Sequence, residues 1–409
     1  MRLEARSGSG SALTRARVVF AAAASFVFFQ MVLQTFPSVM REGLVVDLSL
    51  NETGFGGLSS SFYYPYILLQ VPAGIAVARF GARRVLICGA LLCTVASFLF
   101  AMSQTAGYAE TTRILMGLGA APTVVCAMTL AAQWFPPRKF ALLAALTEAA
   151  GMTGGAVGQE VLGYIVEHAG WRTAMFTCGV VSAFLLILIV LLVRNRTAGG
   201  DAGDDHWPGA AEIKRLLLSA PIIANTIAGG LVASAGVAFG MLWGVSYFQH
   251  FHGMSLTAAS LCGSFYFWGC LPGMLGFAWL CSRYERPRLL LALGAAGTGV
   301  TMALILFVLQ GQAVQSVAMF VLGLFNSSYA LAFTIVKDLA PKHLSGVAMG
   351  LTNMMIMGIG GLVFQQLIGV LAHSRGQGVP GAGALSVIIG AQVVALGILM
   401  VPRPKPAAG

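Results

Sequence analysis

Apolar residues along this chain keep neither the period of a surface helix nor the alternation of a half-buried strand. They run on for roughly 18 to 28 positions between Gly, Pro and charged punctuation. Twelve such segments are predicted: 18–39, 58–78, 85–103, 109–133, 141–167 and 173–193, then 221–248, 257–280, 289–309, 315–336, 346–373 and 384–401. A hydrocarbon layer is crossed by about 20 helical residues. The expected fold is therefore an all-α polytopic membrane protein, with twelve transmembrane helices in two six-helix bundles. The boundaries read as an N-terminal tail 1–17, a first bundle 18–193, a linker 194–219, a second bundle 220–401 and a tail 402–409. Gly199, Gly200, Asp201, Asp204, Asp205 and Pro208 mark the linker as polar and flexible.

An even number of spans puts both termini on one side, and the basic residues say which. Of 24 Lys and Arg, twenty fall in the tails and the loops on the side of the termini; Arg41, Arg172 and Arg375 lie on the other side and Arg113 lies within a span. Cytoplasmic loops retain positive charge, so both termini are expected in the cytoplasm. The net charge of +10 is then a topology signal, and no nucleic-acid partner is expected.

Composition narrows the class. With 57% hydrophobic and 9% charged residues, no soluble surface can be built and no room is left for a soluble catalytic domain. An enzyme is not expected, since no nucleophile with its base and no metal constellation occurs in the spans. Seventeen mostly polar residues precede the first full-length span, so no cleavable signal is expected. The seven cysteines lack CxxC spacing and read as packing residues. His250 and His252 lack further ligands, so no metal is expected. Asn51-Glu52-Thr53 matches a glycosylation acceptor pattern, but Ser49 and Glu52 read better as a capping box for the second helix.

The two halves carry traces of a duplication. Gly154, Gly155, Val157, Gln159 and Gly163 recur as Gly360, Gly361, Val363, Gln365 and Gly369, an offset of 206 residues, and Gly117-Leu118 recurs as Gly323-Leu324. These are parallel repeats related by an axis along the membrane normal.

After the second segment come Gly74, Ala78, Arg79, Gly81, Arg83 and Arg84; at the matching place stand Ala278, Ser282, Arg283, Glu285, Arg286 and Arg288. The first set resembles the signature loop of the major facilitator superfamily and the second is a degenerate copy. Gly74 would let helices approach closely, and the arginines would bond to helix ends and carboxylates as a cytoplasmic latch. Arg113, Gly117, Gly119 and Ala120 resemble the family's fourth-helix motif, and Gly170, Trp171, Arg172 and Phe176 resemble the start of its sixth helix. The resemblance covers nearly the whole chain. The acidic position of the signature loop is Ala78, so the usual salt bridge cannot form there; Gly154-Gly155 stands where the antiporter motif has Gly-Pro. Tyr63, Tyr64, Tyr66, Gln70, Pro72 and Gly74 resemble organic-solute and organic-anion porters. The stretch 341–369 resembles bacterial transporters of peptides, amino acids or siderophore-like metabolites.

Charges inside spans are costly and point to function. Arg113 lies about 6 Å, and Glu160 about 10 Å, from the outer ends of their spans. At the repeat offset they map onto Met319 and Gln366, so the second half lacks both charges. Two readings stand: an Arg113–Glu160 pair that exchanges with a proton or a substrate ammonium, or a structural role, including a local Glu110–Arg113 bridge. Glu148, about two turns inside the fifth span, is placed to hold Arg79 or Arg138 or to lie at the interface. Gln30 and Gln34 share a helix face. With Tyr63, Tyr64, Asn353, Gln365 and Gln366 they are the candidate substrate-cavity residues, interhelical hydrogen bonding being the alternative.

The resemblance implies a secondary active transporter of the bacterial inner membrane, a monomer embedded in the bilayer, in which two bundles rock about a midplane site. The expected cargo is a small polar organic solute: an organic acid, amino acid, dipeptide or siderophore-like metabolite. With no GxxxxGK[ST] sequence, no cofactor is expected beyond an ion gradient, taken as protons. Uptake is the expected direction, with export as the alternative and a non-transporting sensor as the alternative of another class.

Overall fold

The computed structural model describes residues 4–195, 210–341, 344–376 and 378–401. Among these there is no strand. The first half contains α1 (Glu4–Thr35), α2 (Pro37–Asp47), α3 (Glu52–Ser60), α4 (Tyr63–Leu68), α5 (Gln70–Phe80), α6 (Ala82–Ala101), α7 (Ala106–Ala120), α8 (Thr123–Trp134) and α9 (Phe140–Leu192). The second half contains α10 (Ala210–Leu217), α11 (Ala220–Ser234), α12 (Gly244–His252), α13 (Leu256–Tyr284), α14 (Pro287–Phe307), α15 (Gln312–Asn326), α16 (Leu331–Leu339), α17 (Ser345–Met357), α18 (Gln365–Ser374), α19 (Ala382–Leu385) and α20 (Val387–Met400). Two π-helical stretches, Ala235–Trp243 and Gly358–Phe364, join α11 to α12 and α17 to α18.

Among the described residues, ten helices are long and apolar enough to cross a membrane. One of them, Leu142–Leu192, breaks at Gly170, whose φ of 77° no helix accommodates; the gap predicted between 167 and 173 falls there. The predicted second span is not among the ten because it is broken into α3, α4 and α5. Pro65 and Pro72 explain the interruption: each lacks the N–H that a continuous helix would donate four residues back.

The chain forms two compact units. The first comprises 1–49 and 61–203, the second 50–60 and 204–409. In the first, α1 and α9 cross closely, since any Cβ at Gly154 would collide with the Phe28 carbonyl and one at Gly158 would stand 3.0 Å from Val32. Gly89 and Gly119 bring α6 and α7 together in the same way. In the second unit, α3 packs on α18: Gly56 lies against the Gln365 carbonyl, Gly369 against the Glu52 carbonyl, and Phe55 meets Trp243 edge-on with ring centroids 5.3 Å apart.

Two expectations need correction. Part of the expected linker, 210–217, is helical, and Leu216 is buried with Ile222, Val336, Leu344 and Leu351; apolar burial on one face stabilises it, with Glu212 in its first turn and Arg215 in its last. The rest of that linker, 196–209, and the tail 402–409 lie outside the described residues. The cap of the second helix is Asn51, whose Oδ1 accepts from the Gly54 N–H at 2.8 Å. Ser49 instead takes a left-handed conformation, φ 51°, which places it in the turn before the helix.

The duplication is visible in the backbone. Positive φ values pair as Ser49 with Gly253, Gly81 with Glu285, and Gly170 with Gly376, at intervals of 204 to 206 residues. Ser255, which caps α13 by accepting from Ala258 N–H at 3.2 Å, stands at the same interval from Asn51.

Candidate functional site

The polar interior of the first unit begins with a proline. Pro37 has no N–H, so the Leu33 carbonyl, four residues earlier, cannot receive its helical hydrogen bond, and α1 ends at Thr35. Arg113 on α7 takes that carbonyl: its Nη1 donates to Leu33 O at 2.6 Å. The side chain is wholly buried, its guanidinium 4.7 Å from the centre of the Phe36 ring and 4.9 Å from that of Phe62. A strong donor with two aromatic faces for the delocalised cation is how an arginine tolerates such burial.

A chain of hydrogen bonds runs beside it. Gln30 Nε2 donates to Gln34 Oε1 at 3.4 Å, and Gln34 Nε2 donates to the Tyr63 hydroxyl at 3.2 Å. The short helix α4 puts Tyr63 and Tyr66 three residues apart on its buried face. Tyr66 shares a side-chain hydrogen bond with Gln30 and lies within electrostatic reach of Glu148. Phe62 joins the two parts, stacking on Tyr66 and touching Tyr63 edge-on, each at 5.6 Å.

The structure thus brings Gln30, Gln34 and Tyr63 together near Arg113. Tyr64 is 45% exposed and turned away from the buried face of α4. Glu148 is exposed and Glu160 half-buried, both on α9; Gln159, beside Glu160, donates to Ser38 Oγ at 3.2 Å and so ties α9 to α2. Asn353, Gln365 and Gln366 belong to the second unit. There Gln365 is buried, its Nε2 donating to the Val237 carbonyl at 2.8 Å while its own backbone carbonyl accepts from Trp243 Nε1 at 3.1 Å. These bonds tie the first residue of α18 to the π-helical stretch Ala235–Trp243; π-helical segments are often found at functional sites. Asn353 and Gln366 are half-buried.

In the signature loop, Arg83 does bind a helix end. Its Nη2 donates to the Val190 carbonyl in the last turn of α9 at 2.9 Å, and its backbone N–H donates to Asn195 Oδ1 at 2.9 Å. Gly81, with φ 82°, turns the chain between α5 and α6. Arg79 and Arg84 are exposed. Gly74 has open space where its Cβ would be. In the second unit Arg288 repeats the Arg83 contact, donating to the Ile398 and Val401 carbonyls at 2.9 and 2.7 Å.

His252 shares a 3.3 Å hydrogen bond with Gln315, and no group of three His, Cys, Asp or Glu that could hold a metal occurs among the described residues. Sequence reasoning did not assign roles to Pro37, Phe36, Phe62 or Tyr66. The signal for the first two was a Phe-Pro pair at the end of an apolar run.

Comparison with known proteins gives a consistent result. The sequence profile of the Major Facilitator Superfamily matches residues 18–365. The probable galactarate/D-glucarate transporter GudP of Escherichia coli is 24% identical, the match covering 83% of each chain. The probable sulfoacetate transporter SauU of Cupriavidus necator is 29% identical over 39% of this chain and 36% of its own length. A putative inorganic phosphate cotransporter of Drosophila melanogaster is 28% identical, but the match spans only 30% of that protein and 37% of this one. In fold, the chain superposes on the nucleoside transporter NupG with a TM-score of 0.77 at 15% identity, over 94% of this chain and 98% of that one. With an all-helical architecture, membrane-length apolar helices and a profile match over most of its length, the chain belongs to the Major Facilitator Superfamily.

Proposed function

We propose that this protein is a secondary active transporter that takes up a small organic anion in symport with protons. The observation that carries the reading is the wholly buried Arg113, held by the Leu33 carbonyl between two aromatic rings and flanked by Gln30, Gln34 and Tyr63. A fixed, desolvated cation beside amide and hydroxyl groups suits a carboxylate with neighbouring hydroxyls. That chemistry matches the galactarate and D-glucarate named for one relative and the sulfoacetate named for another.

The remaining parts of the reading follow from the sequence. The reading has twelve spans, with α9 counted as two and the broken second span as one; the excess of Lys and Arg on the side of the termini supports cytoplasmic termini, and a monomer in the bacterial inner membrane belongs to the same proposal. The two halves alternate access by rocking, and the only energy source is the proton gradient. Arg113 and Glu160 form the coupling pair, the substrate carboxylate exchanging with the Glu160 carboxylate at the arginine during the cycle. Glu148 and the signature-loop arginines Arg79, Arg83 and Arg84 regulate the cytoplasmic gate. The protein is not an enzyme, in keeping with the transporters among its relatives.

The test is uptake of D-glucarate into proteoliposomes with and without an inward proton gradient. Uptake that rises with the gradient, and counterflow that persists without it in a Glu160→Gln variant, support the reading. Counterflow of D-glucarate and other organic acids at the rate of empty vesicles would favour a sensor, and outward-driven transport would favour an exporter.

A further inference from the structure

A groove lies at the end of the first unit, far from the polar cluster. It is formed by Thr14, Arg15 and Val18 at the start of α1 and by Leu191, Leu192 and Arg194 at the end of α9, and encloses about 500 Å³. Val18 is twelve residues from Gln30, about 18 Å along the helix. Both membrane-length stretches involved, Leu13–Thr35 and Leu142–Leu192, have their ends here. The groove therefore straddles the boundary between hydrocarbon and headgroups. Its floor is apolar and open, with Val18, Leu191 and Leu192 respectively 38%, 61% and 37% exposed. Its rim carries two cations and, among these six lining residues, no acid.

The rim is also fixed in place. Trp134 Nε1 donates to the Arg194 carbonyl at 2.9 Å, and the Arg15 guanidinium stands 5.9 Å from the centre of the same indole. From the other side, Arg83 holds the Val190 carbonyl and the Asn195 side chain. Tryptophan at this depth is a membrane-interface residue. The second half supplies a natural contrast: at the repeat interval Arg15 corresponds to Ser219 or Pro221, and Arg194 to Ile398 or Met400, so the same scaffold there carries neither cation.

We infer that this groove is a binding site for one anionic glycerophospholipid. Its phosphate sits between the Arg15 and Arg194 guanidinium groups beside the Thr14 hydroxyl, and an acyl chain lies along Val18, Leu191 and Leu192. An apolar floor that ends in two cations complements this amphiphile, whereas free phosphate would leave the floor exposed to water. The assignment to the cytoplasmic leaflet rests on the topology proposed above; the site itself does not depend on the transported solute.

Native mass spectrometry of the full-length protein, released from phosphatidylcholine membranes with and without phosphatidylglycerol, tests this directly. The wild type is expected to retain one phosphatidylglycerol. Each arginine near the surface contributes roughly a fivefold preference for the anionic lipid, so R15Q/R194Q should lower retention by about 25-fold, while R15K/R194K, which keeps the charge, retains it. V18W, which fills the floor and leaves both cations, should also displace the lipid. The inference is overturned if R15Q/R194Q holds phosphatidylglycerol like the wild type, if R283Q/R286Q, two exposed arginines of the second unit, loses as much, or if inorganic phosphate competes the lipid away at equal concentration. Because retention is read without substrate, a failure of D-glucarate uptake leaves this result standing.

Discussion

In the first unit buried polar side chains bond to one another, in the sequence Gln30, Gln34, Tyr63, with a buried arginine alongside. In the second unit buried side-chain amides donate to backbone carbonyls. Asn225 donates to the Ala332 carbonyl, Asn326 to Val232, Gln392 to Leu231 and Gln365 to Val237, at 2.6 to 2.9 Å. A side-chain amide on a main-chain carbonyl fastens one helix to another and leaves little for a visiting solute. A side-chain network beside a cation can be rearranged by one, because its donors and acceptors rotate. One duplicated scaffold has thus diverged into a unit with an adaptable polar interior and a unit braced by amides.

The sharpest way to break this contrast is to remove the cation. Arg113→Gln should weaken D-glucarate uptake by about 10- to 100-fold, the range of a hydrogen bond to a charged group, as measured by kcat/KM in proteoliposomes, with folding checked by thermal melting. An equal loss with a neutral substrate of the same size would show that the arginine only braces the fold. Pro37→Ala asks how the arginine is held. The new N–H competes for the Leu33 carbonyl, and about a tenfold rise in KM is expected; an unchanged KM would mean that the two rings alone position it.

The braced unit should respond in stability. Asn326 accepts from the Tyr266 hydroxyl at 2.8 Å while donating to Val232. Asn326→Leu therefore strands two buried groups and should cost about 1 to 3 kcal/mol, seen as a lower Tm with KM unchanged in the folded fraction. A large KM change would erase the distinction between the units. The smallest effect is expected at the surface of the first unit, where Asp47 receives hydrogen bonds from Arg172 and from Trp171 Nε1. The bond from Arg172, then that from Trp171, hold this carboxyl below the usual range. A depressed value in the folded state stabilises above the unfolded carboxylate pKa, and that contribution disappears as pH falls through the folded value. Asp47→Asn should therefore melt slightly below the wild type near neutral pH and coincide with it in strong acid.

Much of the architecture was legible because hydrocarbon length and positive charge leave coarse marks on a sequence. The break at Gly170 and the shared face of Gln30 and Gln34 are local properties, and both could be read in advance. The state of Arg113 could not. Its acceptor exists only because Pro37 withholds an N–H on another helix, and nothing in the spacing of 33, 37 and 113 announces that they meet. The placement of α3 with the second unit was hidden for a similar reason: it depends on Gly56 and Gly369 each admitting a backbone carbonyl from the facing helix. Gln365, a candidate cavity residue, donates to the Val237 carbonyl, which belongs to a π-helical stretch that no apolar pattern reveals. The Ser49–Glu52 spacing suits a capping box, but the positive φ of Ser49 puts it before the helix and Asn51 caps instead.

The paired left-handed residues carry a practical consequence. Ser49 stands where its twin is Gly253, and Glu285 where its twin is Gly81; each half therefore records a backbone solution that the other has kept or overwritten with a costlier side chain. Borrowing the glycine from one copy into the other, at Ser49 and Glu285, would lower local strain by about 1 kcal/mol per site. Each half of the chain thus serves as a template for stabilising the other.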